Sequence, residues 1–286
     1  MNPHEPLILT EQKKFHAGLL ASVITVKGGV PSIADKDNCL SVKIASAIIA
    51  QIGTSTERDR IAAQTSGDTF EIACAAFLTA TFGSLLHFRP GSWTIQRVSR
   101  RGDGISGFDQ YVHLRDLANL CGTDKALATS IGMDYLICPD IVILRNPELD
   151  KVINQSGLVV DHQCSNLTPI RRANSDLPIL HASISCKFTL RSDRAQNARS
   201  EALNLIKNRK GQTPRIVVVT AEPLPSRLAS LAMGTGEIDC IYHFALQELK
   251  QAVSQNGHED SQELLHIMIE GKRLRDIADL PLDLAT

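Results

Sequence analysis

A chain of 286 residues with 43% apolar side chains can bury a sizeable core, as one large domain or two modest ones. Thirty Lys and Arg against 31 Asp and Glu leave a net charge of -1, which excludes a global positive field that would hold nucleic acid indiscriminately. No apolar run approaches the roughly eighteen residues of a membrane span, residues 1–12 lack a basic start followed by an apolar core, and the 7 scattered cysteines form no Cys-x-x-Cys pair. The expectation is a protein of the reducing cytoplasm with no membrane partner.

In chain order, residues 11–26, 34–52 and 67–86 carry apolar positions at three-and-four spacing and are predicted as helices, broken at Gly28-Gly29 and Gly53-Thr54. Short runs rich in Ile and Val predict strands at 93–98, 135–144, 179–190 and 215–220, with helices at 116–131, 193–208 and 225–233. Two terminal helices, 244–255 and 261–278, flank a polar loop. The sum is an α/β fold, a mixed sheet flanked by helices with a helical N-terminal part. It reads as a single domain over 1–286: a mainly helical part to 90, a sheet-bearing part over 91–222 and C-terminal helices over 223–286.

The chemistry concentrates between Pro139 and Glu201. Pro139-Asp140 interrupts an apolar run, so its carboxylate must be paired or metal-bound. In Ser183-Ile184-Ser185-Cys186-Lys187-Phe188, alternation places Ile184, Cys186 and Phe188 on one sheet face and Ser183, Ser185 and Lys187 on the other. Alone, Ser-x-Lys is as well explained by an edge strand with one solvated lysine. A helix from Asp193 turns Glu201 back toward the strands, where it supplies a second carboxylate; alone it is an exposed helical glutamate. Hydrolysis of a phosphodiester needs carboxylates to hold divalent cations and a positioned water, with Lys187 orienting or deprotonating that water and stabilising developing charge. Asp140 and Glu201 are the candidate metal ligands.

Arg191-Ser192-Asp193-Arg194 offers Ser192 as an N-cap and a positive helix end for phosphate. Arginine is the preferred bidentate donor to guanine and aspartate accepts from the cytosine amino group, so the block suits adjacent G·C pairs in the major groove. A charged helix start with an internal ion pair is the plainer reading.

With 46 residues between Asp140 and Lys187, and 13 between Lys187 and Glu201, the chain resembles type II restriction endonucleases that recognise a CCGG core. The resemblance is close over 139–201 and general elsewhere. In that family serine, here Ser185, replaces the acidic residue two positions before the lysine, and a glutamate on the next helix, here Glu201, takes over its role. The resemblance implies a restriction-endonuclease-like core, double-stranded DNA as substrate and Mg²⁺ as cofactor, with two ions per site. It implies 5′-phosphate products, a homodimer or homotetramer, and a cognate DNA methyltransferase in a bacterial cytoplasm. Glu71 is the best match to a further family carboxylate on an early helix, although Asp68-x-x-Glu71 also reads as a capping box. Asp35 and Arg227, an acceptor and a forked donor near helix starts, are named as readers of an outer G·C pair, and the resemblance would make the site GCCGGC. Two-fold symmetry follows independently, since one site cuts one strand and a palindrome is read twice.

Arg97-Val98-Ser99-Arg100-Arg101 is a candidate phosphate grip or a solvated strand end. Gly102-Asp103-Gly104-Ile105-Ser106-Gly107 fits a dinucleotide fingerprint but lacks the following helix and the acidic residue a cofactor site needs. Asp161-His162-Gln163-Cys164 has no second ligand pair and reads as a polar loop; Lys27-Gly28-Gly29 reads as a turn. A DNA-binding regulator without cleavage is the alternative, and it leaves Asp140 without a use.

Overall fold

A computed structural model describes residues 5–53, 63–98, 104–122, 124–130, 139–234 and 236–286. The N-terminal part holds α1 (Leu7–Ser22), the hairpin strands β1 (Val26–Lys27) and β2 (Val30–Pro31), α2 (Cys39–Ile52) and α3 (Ala63–Phe82). Then come β3 (Trp93–Arg97), α4 (Val112–Cys121), α5 (Lys125–Ser130), β4 (Ile141–Arg145), α6 (Asp150–Ile153), β5 (Ile179–Lys187), α7 (Ser192–Asn208) and β6 (Arg215–Thr220). The chain closes with α8 (Pro225–Ala232), β7 (Cys240–His243), α9 (Leu246–Asn256), α10 (Glu259–Glu270), β8 (Leu274–Asp276) and α11 (Leu280–Leu284).

Local chemistry sets several of these boundaries. The predicted first helix stops at Ser22, and Gly28 and Gly29, at φ 56° and 76°, then turn β1 into β2 through the left-handed region that a tight hairpin requires. Asn38 caps α2 by accepting the Ser41 N–H at 2.9 Å.

Six strands form one sheet in the order β3-β4-β5-β6-β7-β8, antiparallel from β3 to β5 and parallel from β5 to β8. The Ile and Val runs of β4 and β6 are nearly continuous because both faces of the sheet are covered. On one side of β5, Phe70 of α3 packs 5.5 Å from Phe188. On the other, Ala198, Ala202 and Leu205 of α7 lie over Ser183 and Ser185. The edge-strand reading of the Ser-x-Lys segment fails, because β5 is a central strand.

Besides the hairpin strands β1 and β2, two strands of this sheet lie beyond those predicted. Four-residue β7 and three-residue β8 are too short to show a period, yet they extend the parallel half of the sheet. The single helix predicted over 261–278 is therefore broken: α10 ends at Glu270, Lys272 takes φ 57°, and the chain enters β8. Likewise, the helix predicted over 116–131 is divided between α4 and α5, separated around Gly122 at φ 51°; Ile131 lies outside the described residues.

Parallel pairing places Lys187 opposite Thr220, so the segments leaving β5 and β6 emerge at one sheet edge. In open α/β sheets the carboxyl ends of parallel strands are where ligands bind.

Candidate active site

Asp140 immediately precedes β4, and its carbonyl accepts the Val98 N–H at 3.1 Å. Residues 135–138 of the predicted run lie outside the described residues; Asp140 itself is a bend residue immediately before the strand that starts at Ile141. Antiparallel pairing sets Ile141 opposite Ile184, which brings Asp140 beside the C-terminal end of β5. There Oδ2 of Asp140 accepts the Cys186 N–H at 2.7 Å and the Lys187 ammonium at 3.3 Å, with the Ser185 hydroxyl oxygen 3.5 Å away.

Glu201 reaches the same point from α7. Ser185 donates to its Oε2 at 2.7 Å, and Lys187 Nζ lies 3.3 Å from Oε1 and 3.4 Å from Oε2. The Lys187 side chain is 14% exposed, against 21% for Asp140 and 19% for Glu201, so each charge is largely withdrawn from water and needs its partners. Burial alone would pull the amine's pKa down; the two carboxylates outweigh it and hold the pKa above the ordinary lysine value. One ammonium against two carboxylates leaves the trio with a negative charge, a hard-oxygen environment suited to a divalent cation.

Glu71 borders this cluster without joining its hydrogen bonds. It lies within α3 and not at a helix start, which removes the capping-box reading, and it pairs with Arg97 Nε at 2.5 Å. Burial pushes its carboxyl pKa up, the Arg97 bond opposes this, and the nearby charge of Asp140 acts with burial. Arg97 is thus engaged in an ion pair; Ser99 to Arg101 and the first two residues of the glycine-rich motif, Gly102-Asp103, lie outside the described residues, and Gly104–Gly107 forms a 3-10 turn.

The Arg191-Ser192-Asp193-Arg194 block begins four residues after Lys187. Arg191, Ser192 and Asp193 are exposed, and Arg194 is half-buried with Nη1 donating to Thr189 Oγ1 at 3.0 Å. The capping assignment needs correction. Arg191 occupies the N-cap position with no side-chain cap bond, and Ser192 is the first helical residue. Its hydroxyl sits one position too late to act as the cap; the backbone of α7 still ends in free N–H groups there.

Asp35 and Arg227, separated by 191 residues in sequence, are joined by an ion pair. The carboxyl of Asp35 is held low first by the Asp37 N–H, then by Arg227, and Arg191 contributes to the same field. The two proposed outer readers and the start of the inner block therefore form one neighbourhood.

The Asp161-His162-Gln163-Cys164 segment is an exposed turn, apart from half-buried Asp161. Cys186 faces Cys74 in the core, where that contact and burial push its thiol up, so it is no nucleophile.

Glu222, which the sequence reading passed over, lies beside Leu190 and Arg227. It is fully buried beyond β6, where Oε2 accepts the Leu190 N–H at 2.9 Å and Oε1 the Leu224 N–H at 3.2 Å. Burial pushes its pKa up to about 7 against those bonds and Arg227. The signal was present: Glu222-Pro223 sets a carboxylate next to a proline at the edge of an apolar run, as Pro139-Asp140 does.

A central-strand lysine held between two carboxylates, with an arginine-bearing helix start immediately downstream on a mixed sheet, defines a site-specific deoxyribonuclease of the restriction endonuclease class. Residues 15–286 match the family model described as NgoMIV restriction enzyme, and the chain belongs to that family. It is 49% identical over 283 residues to the type II restriction enzyme NgoMIV of Neisseria gonorrhoeae, covering 98% of this chain and 99% of the relative. Among solved structures it matches Bse634I restriction endonuclease with a TM-score of 0.37 at 15% identity, over 70% of this chain and 78% of that one. The non-cleaving regulator is thereby set aside in favour of an enzyme, and among the described residues no helix is long and apolar enough to cross a membrane.

Proposed function

We propose that the chain hydrolyses double-stranded DNA at a palindrome with a CCGG core, with GCCGGC as the full site, using Mg²⁺ and leaving 5′-phosphates. The observation that carries this reading is Lys187 Nζ lying 3.3 Å from both Asp140 and Glu201, on a strand that runs directly into the reader block. Asp140 and Glu201 would hold the cation, with two ions per site as the working number; when bound, it neutralises charge developing on the attacked phosphodiester. Among the described residues no group of three or more His, Cys, Asp or Glu side chains is placed to hold a metal ion. Two carboxylates suffice for Mg²⁺, which keeps several waters and takes phosphate oxygens as further ligands.

As an ammonium, Lys187 serves to orient the attacking water and stabilise the phosphate's developing charge. Ser185 orients Glu201, and Glu71 with Arg97 flanks the cluster. Arg191, Asp193 and Arg194 read the inner G·C pairs, with Ser192 at the phosphate-facing helix start, while Asp35 and Arg227 read the outer pair. A palindrome read twice by one tetrapeptide calls for a two-fold homodimer, or a pair of dimers as a homotetramer. The chain would act as one domain in a bacterial cytoplasm, beside a methyltransferase that protects host sites.

Incubating plasmid bearing GCCGGC sites with Mg²⁺ and with Ca²⁺, then sequencing the ends, tests the reading. Discrete fragments with Mg²⁺ alone, ending in 5′-phosphates within GCCGGC, are expected. Intact plasmid under both conditions, or cuts at unrelated sequences, would overturn it.

A further inference from the structure

Glu222 touches both halves of the recognition surface while lying outside it. Its Oε2 takes the N–H of Leu190, the residue before Arg191, and lies 3.7 Å from Arg227 Nη1; Arg227 in turn grips Asp35 through Nη2. Its Oε1 takes the Leu224 N–H just before α8, the helix that carries Arg227. The backbone of Glu222 is fixed as firmly: its N–H donates to Thr220 Oγ1 at 3.2 Å. On its carbonyl side, the His243 ring accepts the Ala245 N–H at Nδ1, which leaves Nε2 as the donor to Glu222 at 3.2 Å. A fully buried carboxylate, braced at main chain and side chain, thus connects the start of α7 with the Arg227–Asp35 pair.

We propose that Glu222 is a positioning residue that sets the spacing between the inner-base reader, Arg191 to Arg194, and the outer-base reader, Asp35 with Arg227. The inference rests on the assignment of those residues as readers. Both readers must meet adjacent base pairs at once, and a displacement of about an ångström in such a constellation can cost on the order of a hundredfold. Arg227 cannot set that spacing, because it is half-exposed to the groove it would read; Glu222 is enclosed and satisfied on every side.

The test uses the full-length protein with Mg²⁺, at a pH well above 7 where Glu222 is ionised, and three duplexes: GCCGGC, one altered at the outer pair and one altered within CCGG. The ratio of kcat/KM on GCCGGC to that on each altered duplex is measured for wild type, Glu222→Gln, Arg227→Ala and the double variant, with a melting temperature for each. A glutamine can accept the Leu190 N–H or the Leu224 N–H through its single carbonyl oxygen, but it carries no charge for Arg227. Glu222→Gln is expected to lower both ratios about tenfold or more. Arg227→Ala should lower the outer ratio alone, and the double variant should fall no further at the outer pair than Arg227→Ala does. Glu222→Asp, which keeps the charge and shortens its reach, replaces the glutamine variant if that protein does not fold, with the same expectation.

Both ratios at wild-type values in the Glu222 variant, whatever its melting temperature, would overturn the proposal while leaving the outer reader intact. Lowering of one ratio alone would overturn the coupling. An unchanged outer ratio in Arg227→Ala would overturn the reader assignment and the proposal with it.

Discussion

Ser185 donates a 2.7 Å hydrogen bond to Oε2 of Glu201, tying the central strand β5 to the helix that covers it. The hydroxyl thereby fixes the carboxylate proposed as a metal ligand. Supporting groups of this kind are worth about 10- to 100-fold in metal affinity or activity. Ser185→Ala should raise the Mg²⁺ concentration for half-maximal cleavage by that order, with little change in melting temperature. An unchanged midpoint in a Mg²⁺ titration would show that Glu201 needs no such brace.

Arg191 stands exposed at the N-cap position of α7, free to meet a base edge. Arg191→Ala should remove roughly 1–3 kcal/mol of discrimination at one guanine, seen as relaxed cleavage of sites altered at that base pair. Affinity lost evenly over all sequences would make Arg191 a phosphate contact.

Burial raises the pKa of Glu222 from 4.5 to about 7, so between those values the folded chain holds a proton that the unfolded chain releases. The unfolding free energy therefore falls as pH rises through that window, by up to about 3 kcal/mol at 1.36 kcal/mol per unit. Thermal melts from pH 5 to pH 8 should show wild type losing more stability over the range than Glu222→Gln. Parallel curves for the two proteins would mean that Glu222 stays ionised in the fold.

The chemistry of this chain was more legible than its architecture. Asp140, Lys187 and Glu201 are special by type and context, a carboxylate beside an apolar run, a lysine in a buried strand and a glutamate on an inward helix face. Those signals survive without knowledge of the neighbours, and the structure brings all three together. By contrast, β7 and β8 are set by pairing with β6 and with each other, which no local period reveals in segments of four and three residues. Ser192 illustrates a boundary error of one residue, enough to move a hydroxyl out of the cap position. Glu222 was missed because its meaning comes from Leu190 and Arg227, which join it only across the sheet edge.

The account turns on Lys187 lying between Asp140 and Glu201, and Lys187→Ala tests it most directly. Cleavage of a GCCGGC-bearing duplex by the variant should fall by about 10²–10³ or more, since a preorganised charge facing the phosphate is lost, while specific binding measured in Ca²⁺ stays within a few-fold of wild type. A variant that cuts at the wild-type rate would contradict the account and place the catalytic centre elsewhere.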